Sequence, residues 1–225
     1  MKFLIVGDVC GRPGREAFRK YVPELKKEHN IDVVVVNGEN IAGGRGISRK
    51  TLDEIYRAGA DIVTSGNHIW DQKEIVSFID DEPFLIRPAN YPEGAPGKGY
   101  CIYPFKAKNI GVINVSGRTF MPPMDCPFQK VDEILKEIKN QCDIICNQLI
   151  QQNYMEDPGS DVINGQLSML TNIYGGRILI IDQDFRVIKD TYDMDRGKTI
   201  ISQEVIQSFQ GKETSQYDRK TAIWK

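Results

Sequence analysis

The chain has 225 residues, 40% of them hydrophobic and 27% charged, a composition that suits one large or two small globular domains. A net charge of −2 and a pI near 5.8 exclude the basic footprint that a nucleic-acid duplex demands, while leaving room for a small anionic ligand held by local groups. No apolar run approaches the roughly 20 residues of a membrane span, and Met1–Asp8 is too short and too quickly acidic for a secretory leader. The expected location is therefore cytoplasmic, with no membrane partner.

In chain order, β-branched runs predict strands at Lys2–Val6, Asp32–Val36, Asp61–Thr64, Tyr100–Pro104 and Ile110–Val115. Between them, helical spacing predicts helices over Gly14–Glu28, Lys50–Ala58 and Gln72–Ile79. A βαβα order calls for an α/β fold with a largely parallel sheet and flanking helices. Near Asn140 the composition shifts: ten of the eleven prolines lie in 1–139 and ten of the twelve glutamines in 140–225. A domain seam is expected there, dividing 1–139 from 140–225. There is no Pro/Gly/Ser linker, and the periodicity of Val131–Ile138 runs on towards Cys142 and Ile145, so the two parts are expected to share one helix. Beyond it, Gln141–Tyr174 reads as mainly helical, Gly176–Asp190 as two strands around a polar turn, and Gln203–Phe209 as a helix stopped by Gly211.

Five cysteines at irregular spacing argue against a disulfide framework. Cys142 and Cys146, four apart on one helix, are expected to pack in a core. His29 sits where it would place charge at a helix C-terminus. The run Asp190–Asp195 has the wrong spacing for a calcium loop and reads as a solvated turn.

Chemistry concentrates after three successive strands. Asp8 follows the first, Glu39 and Asn40 the second, and Asn67 and His68 the third. The carboxyl ends of parallel strands share one rim, so these carboxylate and amide oxygens would converge, and such donors suit hard or borderline divalent cations. An isolated Asp or Asn after a strand would be read as a turn or capping residue; three consecutive occurrences, with one of only two histidines beside the last, favour a site. Gly43–Gly46 could wrap a phosphate through backbone N–H groups, with Arg45 or Arg118 pairing to it, although Gly-rich turns are mostly just turns. Trp70 suits loop anchoring as well as base stacking.

These segments resemble a known family. Gly7-Asp8-Val9 with Gly11-Arg12-Pro13-Gly14-Arg15, Asn37-Gly38-Glu39-Asn40 with Ala42-Gly43-Gly44-Arg45-Gly46-Ile47, Gly66-Asn67-His68-Ile69-Trp70-Asp71, Ile86–Pro92 and Gly117–Pro123 are similar, in order, to the YmdB-like metallophosphoesterases. The resemblance covers about residues 1–139. It implies a metallophosphoesterase-like sheet and a phosphodiesterase acting on cyclic nucleotides such as 2′,3′-cyclic AMP, a small-molecule phosphodiester. It implies two divalent metal ions, iron or manganese, held partly by Asp8, Glu39, Asn40 and Asn67, with His68 as the catalytic histidine protonating the leaving alkoxide.

The family pattern then breaks. A YmdB-like protein continues with an Asp-x-His-Ala-Glu type segment and later a His-Thr-His segment, whereas residues 140–225 contain no histidine and Ile144-Ile145-Cys146-Asn147-Gln148 stands where the first would be expected. The metal site should be incomplete and activity impaired. Residues of about 141–220 instead resemble the start of the extracytoplasmic PAS-like domain of sensor histidine kinases, which implies a small α+β segment. The alternative to an impaired enzyme is a non-catalytic fusion that carries a fragment of a sensing domain. A partial sheet would leave apolar edges, so self-association into a homo-oligomer is expected unless residues 140–225 cover them.

Overall fold

The computed structural model describes residues 1–106, 108–151, 159–174 and 177–211. The chain divides into two compact units: Met1–Tyr103 with Ile110–Ile145, and Pro104–Asn109 with Cys146–Lys225.

The first unit is built on four parallel strands in the order β1 (Phe3–Asp8), β2 (Val33–Asn37), β3 (Ile62–Thr64) and β4 (Leu85–Ile86). Helix α1 (Gly11–Glu28) joins β1 to β2, and α2 (Arg49–Arg57) joins β2 to β3. The first turn of α1 accepts Pro13, where no intrahelical N–H is needed, and Lys26 and Lys27 end it favourably for the helix dipole. At the start of α2, the Thr51 N–H donates to Ser48 Oγ at 3.2 Å while the Ser48 N–H donates to Thr51 Oγ1 at 3.1 Å, a reciprocal cap. Phe18 and Val22 of α1 and Leu52 and Ile55 of α2 share one buried cluster with Val34, Val36, Val63 and Leu85 of the sheet. The opposite face of β1 is bare: Phe3 is 41% and Ile5 76% exposed.

Two short strands, β5 (Tyr100–Phe105) and β6 (Lys108–Ile113), form a separate two-stranded sheet. Tyr103 of β5 donates its hydroxyl to Asp61 Oδ1 at 3.0 Å; burial first, then that carboxylate, pushes its pKa up to about 12. Helix α3 (Pro127–Gln151) then runs unbroken through the expected seam at Asn140.

In the second unit, α4 (Asp161–Tyr174) buries Ile163, Leu167 and Thr171 on one face. Strands β7 (Leu179–Ile181) and β8 (Val187–Asp190) pair antiparallel, and α5 (Gln203–Phe209) starts at Ser202, whose hydroxyl accepts the Val205 N–H. Phe185 meets Phe209 edge to face with ring centroids 5.2 Å apart.

Three expectations are corrected. The helix expected over Gln72–Ile79 is two 3-10 turns, Lys73–Ser77 and Ile79–Asp81, separated where Phe78 adopts φ −140°. Ile75, Phe78 and Ile79 still supply the buried 3.6-residue pattern, but Phe78 lies with the Arg49 guanidinium 4.3 Å over its ring, and so short a segment gains little by continuing as an α-helix. Cys142 and Cys146 are exposed on α3, so the i, i+4 spacing marks an open helix face. The Asp190–Asp195 turn is not simply solvated. Asp190 is 2% exposed and accepts backbone N–H groups from Tyr192, Met194 and Asp195, while the buried Arg177 donates through Nε to Asp190 Oδ1 at 2.7 Å and also reaches Asp195. Burial alone would raise the Asp190 carboxyl, yet the Arg177 side chain and the surrounding N–H groups hold it well below its ordinary value.

Candidate metal centre

Parallel register brings the loop residues together. Asp8 pairs with Asn37, Asn37 with Thr64 and Thr64 with Ile86, so four strands end at one rim. The β1–β2 register slips between Val6 and Asp8, a bulge that re-aims the Asp8 side chain at the strand's end. The Gly11 N–H donates to the Asn40 carbonyl at 2.8 Å and the Gly38 N–H to the Thr64 carbonyl at 2.9 Å, tying the first two loops to each other and to β3.

Asn40 Nδ2 donates to Asp8 Oδ2 at 2.9 Å. Glu39 lies against the next loop: a Cβ built on Gly66 would stand 2.0 Å from Glu39 Oε2 and 2.6 Å from its Cδ. Only a glycine leaves that space. Glu39 Oε2 and Asn40 Oδ1 are both buried without a hydrogen-bond partner. A buried carboxylate oxygen with nothing to accept costs on the order of 1–3 kcal/mol or more, and a bound cation removes that cost. The donor types and these two orphaned oxygens thus fit a divalent cation. Among the described residues, no cluster of three or more His, Cys, Asp or Glu side chains stands ready to hold one.

His68 follows Asn67 directly. Its Nδ1 lies 2.8 Å from Asp71 Oδ2 and its Nε2 3.4 Å from Asn67 Nδ2. The Asp71 carboxylate can only accept, so Nδ1–H donates to it, and Nε2 is the nitrogen turned towards Asn67. The ring is partly buried and Asp71 is exposed. Trp70 anchors its loop, its ring packed edge-on to Tyr91 at 5.8 Å and against the core cluster. Burial raises the Tyr91 phenol; the Trp70 hydrogen bond opposes this, and the negative charges of Glu39 and Asp71 add to it.

The arginines are less closely placed. Arg45 is exposed in a turn whose Gly43, Gly44 and Gly46 all have positive φ, and Gln72 Nε2 donates to its carbonyl at 3.0 Å. Gly46 packs beside the His68 carbonyl, so the turn's backbone, rather than the Arg45 side chain, meets the histidine loop. Arg118 is exposed on a separate loop. His29 caps α1 and faces Glu28 at 3.8 Å, apart from the rim residues' contacts. Asp71, Tyr91 and Gly66 carry no role in the sequence reading. An acid three residues after the histidine was the available signal for Asp71; the close approach that requires Gly66 has no signature in one sequence.

The YmdB-like protein family model matches residues 4–152. The chain belongs to the YmdB-like family. It is 50% identical over 137 residues to a 2′,3′-cyclic-nucleotide 2′-phosphodiesterase of Bacillus subtilis, a match covering 61% of this chain and 52% of that protein. It is 31% identical over 150 residues to a putative phosphatase/phosphodiesterase of Mycoplasma pneumoniae, with 64% and 53% covered. Among solved structures, a hypothetical protein from Thermus thermophilus superposes with a TM-score of 0.58 at 38% identity, covering 61% of this chain and 53% of that one. A novel phosphatase from Mycoplasma pneumoniae superposes at 0.57 with 30% identity, covering 61% and 51%. The chain spans about half the length of the curated relatives it matches. Among the described residues, no helix is long and apolar enough to cross a membrane.

Proposed function

We propose that the first unit of this YmdB-like chain is a metal-dependent phosphodiesterase half-site for cyclic nucleotides of the 2′,3′-cyclic AMP type. The observation that carries this reading is the pair of buried, unpartnered oxygens, Glu39 Oε2 and Asn40 Oδ1, beside the Asp8–Asn40 hydrogen bond. Asp8, Glu39, Asn40 and Asn67 would hold divalent metal, iron or manganese by family expectation. Such ions supply Lewis acidity that neutralises charge on a phosphoryl group.

The chain's own residues then divide the remaining work. Asp71 fixes the His68 ring through Nδ1–H, and in the doubly protonated imidazolium Nε2–H can deliver its proton to the ribose oxygen leaving the cyclic phosphate, which leaves the neutral ring with Nδ1–H still held by Asp71, a step typically contributing about 10²–10⁴-fold. Asn67 stands beside that edge of the ring, and its Nδ2 can donate to Nε2 once the proton has left. Arg45 and Arg118 are the candidate phosphate partners, each by an exposed guanidinium. The substrate is a small phosphodiester, the protein is cytoplasmic, and turnover is impaired because residues 140–225 supply no imidazole.

A second reading, a non-catalytic chain whose residues 140–225 form a PAS-like sensing segment, is favoured by that same absence of histidine after His68. Hydrolysis of bis-p-nitrophenyl phosphate and of 2′,3′-cyclic AMP with added manganese separates the two. Slow, metal-dependent turnover that Asp8→Asn and His68→Ala abolish supports the enzyme; no turnover above the manganese blank, with an intact fold, contradicts it.

A further inference from the structure

Past β6 the chain crosses back to the rim before entering α3. Asn114 Nδ2 donates to the Ser65 carbonyl at 2.6 Å, one residue before Gly66. Both ends of the following loop are then clasped by Asn90, which is fully buried: its Oδ1 accepts the Ser116 N–H at 2.9 Å, its Nδ2 donates to the Ser116 and Asp125 carbonyls at 2.9 and 3.1 Å, and its own carbonyl accepts the Asp125 N–H at 3.0 Å. The loop 116–125 is thereby fixed to the same strand ends that carry Asn67 and His68.

Between this loop and the first turn of α3 lies a cavity of about 720 Å³ that is wide open to solvent, lined among others by Arg118, Thr119, Met121, Met124, Cys126 and Phe128. That size is in the range of small-ligand sites, roughly 300–1,000 Å³. Its surroundings are costly unless something uses them. Phe128 is 81% exposed, and Phe120, on the same loop as Arg118, is fully exposed at φ +60°, a left-handed conformation unusual for a bulky side chain. Arg118 has no carboxylate partner among the described residues, in contrast to the arginines of the α1–α2 groove, where Arg12 pairs with Glu16 and Arg15 with Glu54. An aromatic face, two thioethers and one unpaired guanidinium, joined to a phosphodiesterase rim, match a nucleotide: a base to stack and a phosphate to pair.

We propose that this cavity is the nucleobase subsite of the same site, with the base stacked on Phe128 and Arg118 directed to the sugar-phosphate. This rests on the phosphodiesterase reading for its choice of ligand. Cys126 provides an internal reporter. It opens α3, and the backbone N–H groups of Gln129 and then Phe128 lower its thiol pKa, so it should alkylate readily when the cavity is empty of ligand.

The test uses the full chain, adenosine 3′-monophosphate and ribose 5-phosphate, with binding followed by calorimetry and Cys126 alkylation by iodoacetamide followed by peptide mass spectrometry. The nucleotide should bind at least about tenfold more tightly than ribose 5-phosphate and slow Cys126 alkylation several-fold at saturation. Phe128→Ala, at an exposed position the fold tolerates, should remove that preference and leave ribose 5-phosphate binding unchanged. Equal affinity for the two ligands, no saturable nucleotide binding, or an unchanged preference in Phe128→Ala overturns the subsite. So does a Phe128→Ala variant that only converts a dimer to a monomer, which would make the cavity a contact between copies. Loss of bis-p-nitrophenyl phosphate hydrolysis bears on the phosphodiesterase reading alone, because that substrate carries no base.

Discussion

A Cβ at residue 66 would overlap Glu39 Oε2, and Gly66 has no positive φ that would strain an alanine backbone, so Gly66→Ala is a steric probe of the carboxylate's position. The variant should keep its far-ultraviolet circular dichroism and lose at least about tenfold in manganese affinity, since displaced or poorly supported ligands cost roughly 10–100-fold. Unchanged affinity would show that Glu39 does not act as a ligand. At Asp71 the expectation concerns the histidine. Asp71→Asn keeps the side-chain shape but replaces the carboxylate that holds Nδ1, and kcat should fall roughly 10–100-fold with little change in KM, measured on bis-p-nitrophenyl phosphate. A fall in KM-dependent binding alone would place Asp71 in substrate binding instead. These residues also mark where sequence reading stopped. Asp8, Glu39, Asn40, Asn67 and His68 were legible because parallel strands must deliver their loops to one rim; the Glu39–Gly66 contact was not, because it depends on how closely two backbones approach.

At the scale of elements, β1, α1, β2, α2, β3 and the paired strands of the second unit were legible from apolar periodicity and capping residues. The 3-10 turns at Lys73–Asp81 were missed because the same buried spacing of Ile75, Phe78 and Ile79 serves a helix or two tight turns. Strand β4, two residues long, is too short to carry a period. The Arg177–Asp190–Asp195 network was missed because ion pairs 13 and 18 residues apart leave no local pattern. That network sets the expected behaviour of the β7–β8 pair. Arg177→Met would strand a buried carboxylate and should cost about 3–5 kcal/mol, read from the urea midpoint. The acid response follows from the depressed Asp190 carboxyl. Its contribution is complete above the unfolded value near ~3.9 and is lost as pH falls through that value towards the folded one, so the stability difference between wild type and Asp190→Asn should narrow from pH 5 to pH 3. A difference independent of pH would mean that Asp190 is not held ionised by the fold.

For the whole molecule, β1 is the edge of a four-stranded sheet and its outer face presents Phe3 and Ile5 to solvent. Self-association through it is the expected outcome: light scattering should give a mass above the monomer for wild type and a lower one for Ile5→Lys, and identical monomer masses would contradict it. The central proposal is that the rim oxygens hold a divalent cation. Calorimetric titration of the full chain with manganese tests it most directly. The expected result is saturable binding that Asp8→Asn and Gly66→Ala each abolish or weaken at least about tenfold; no saturable binding, or binding indifferent to both substitutions, would contradict it.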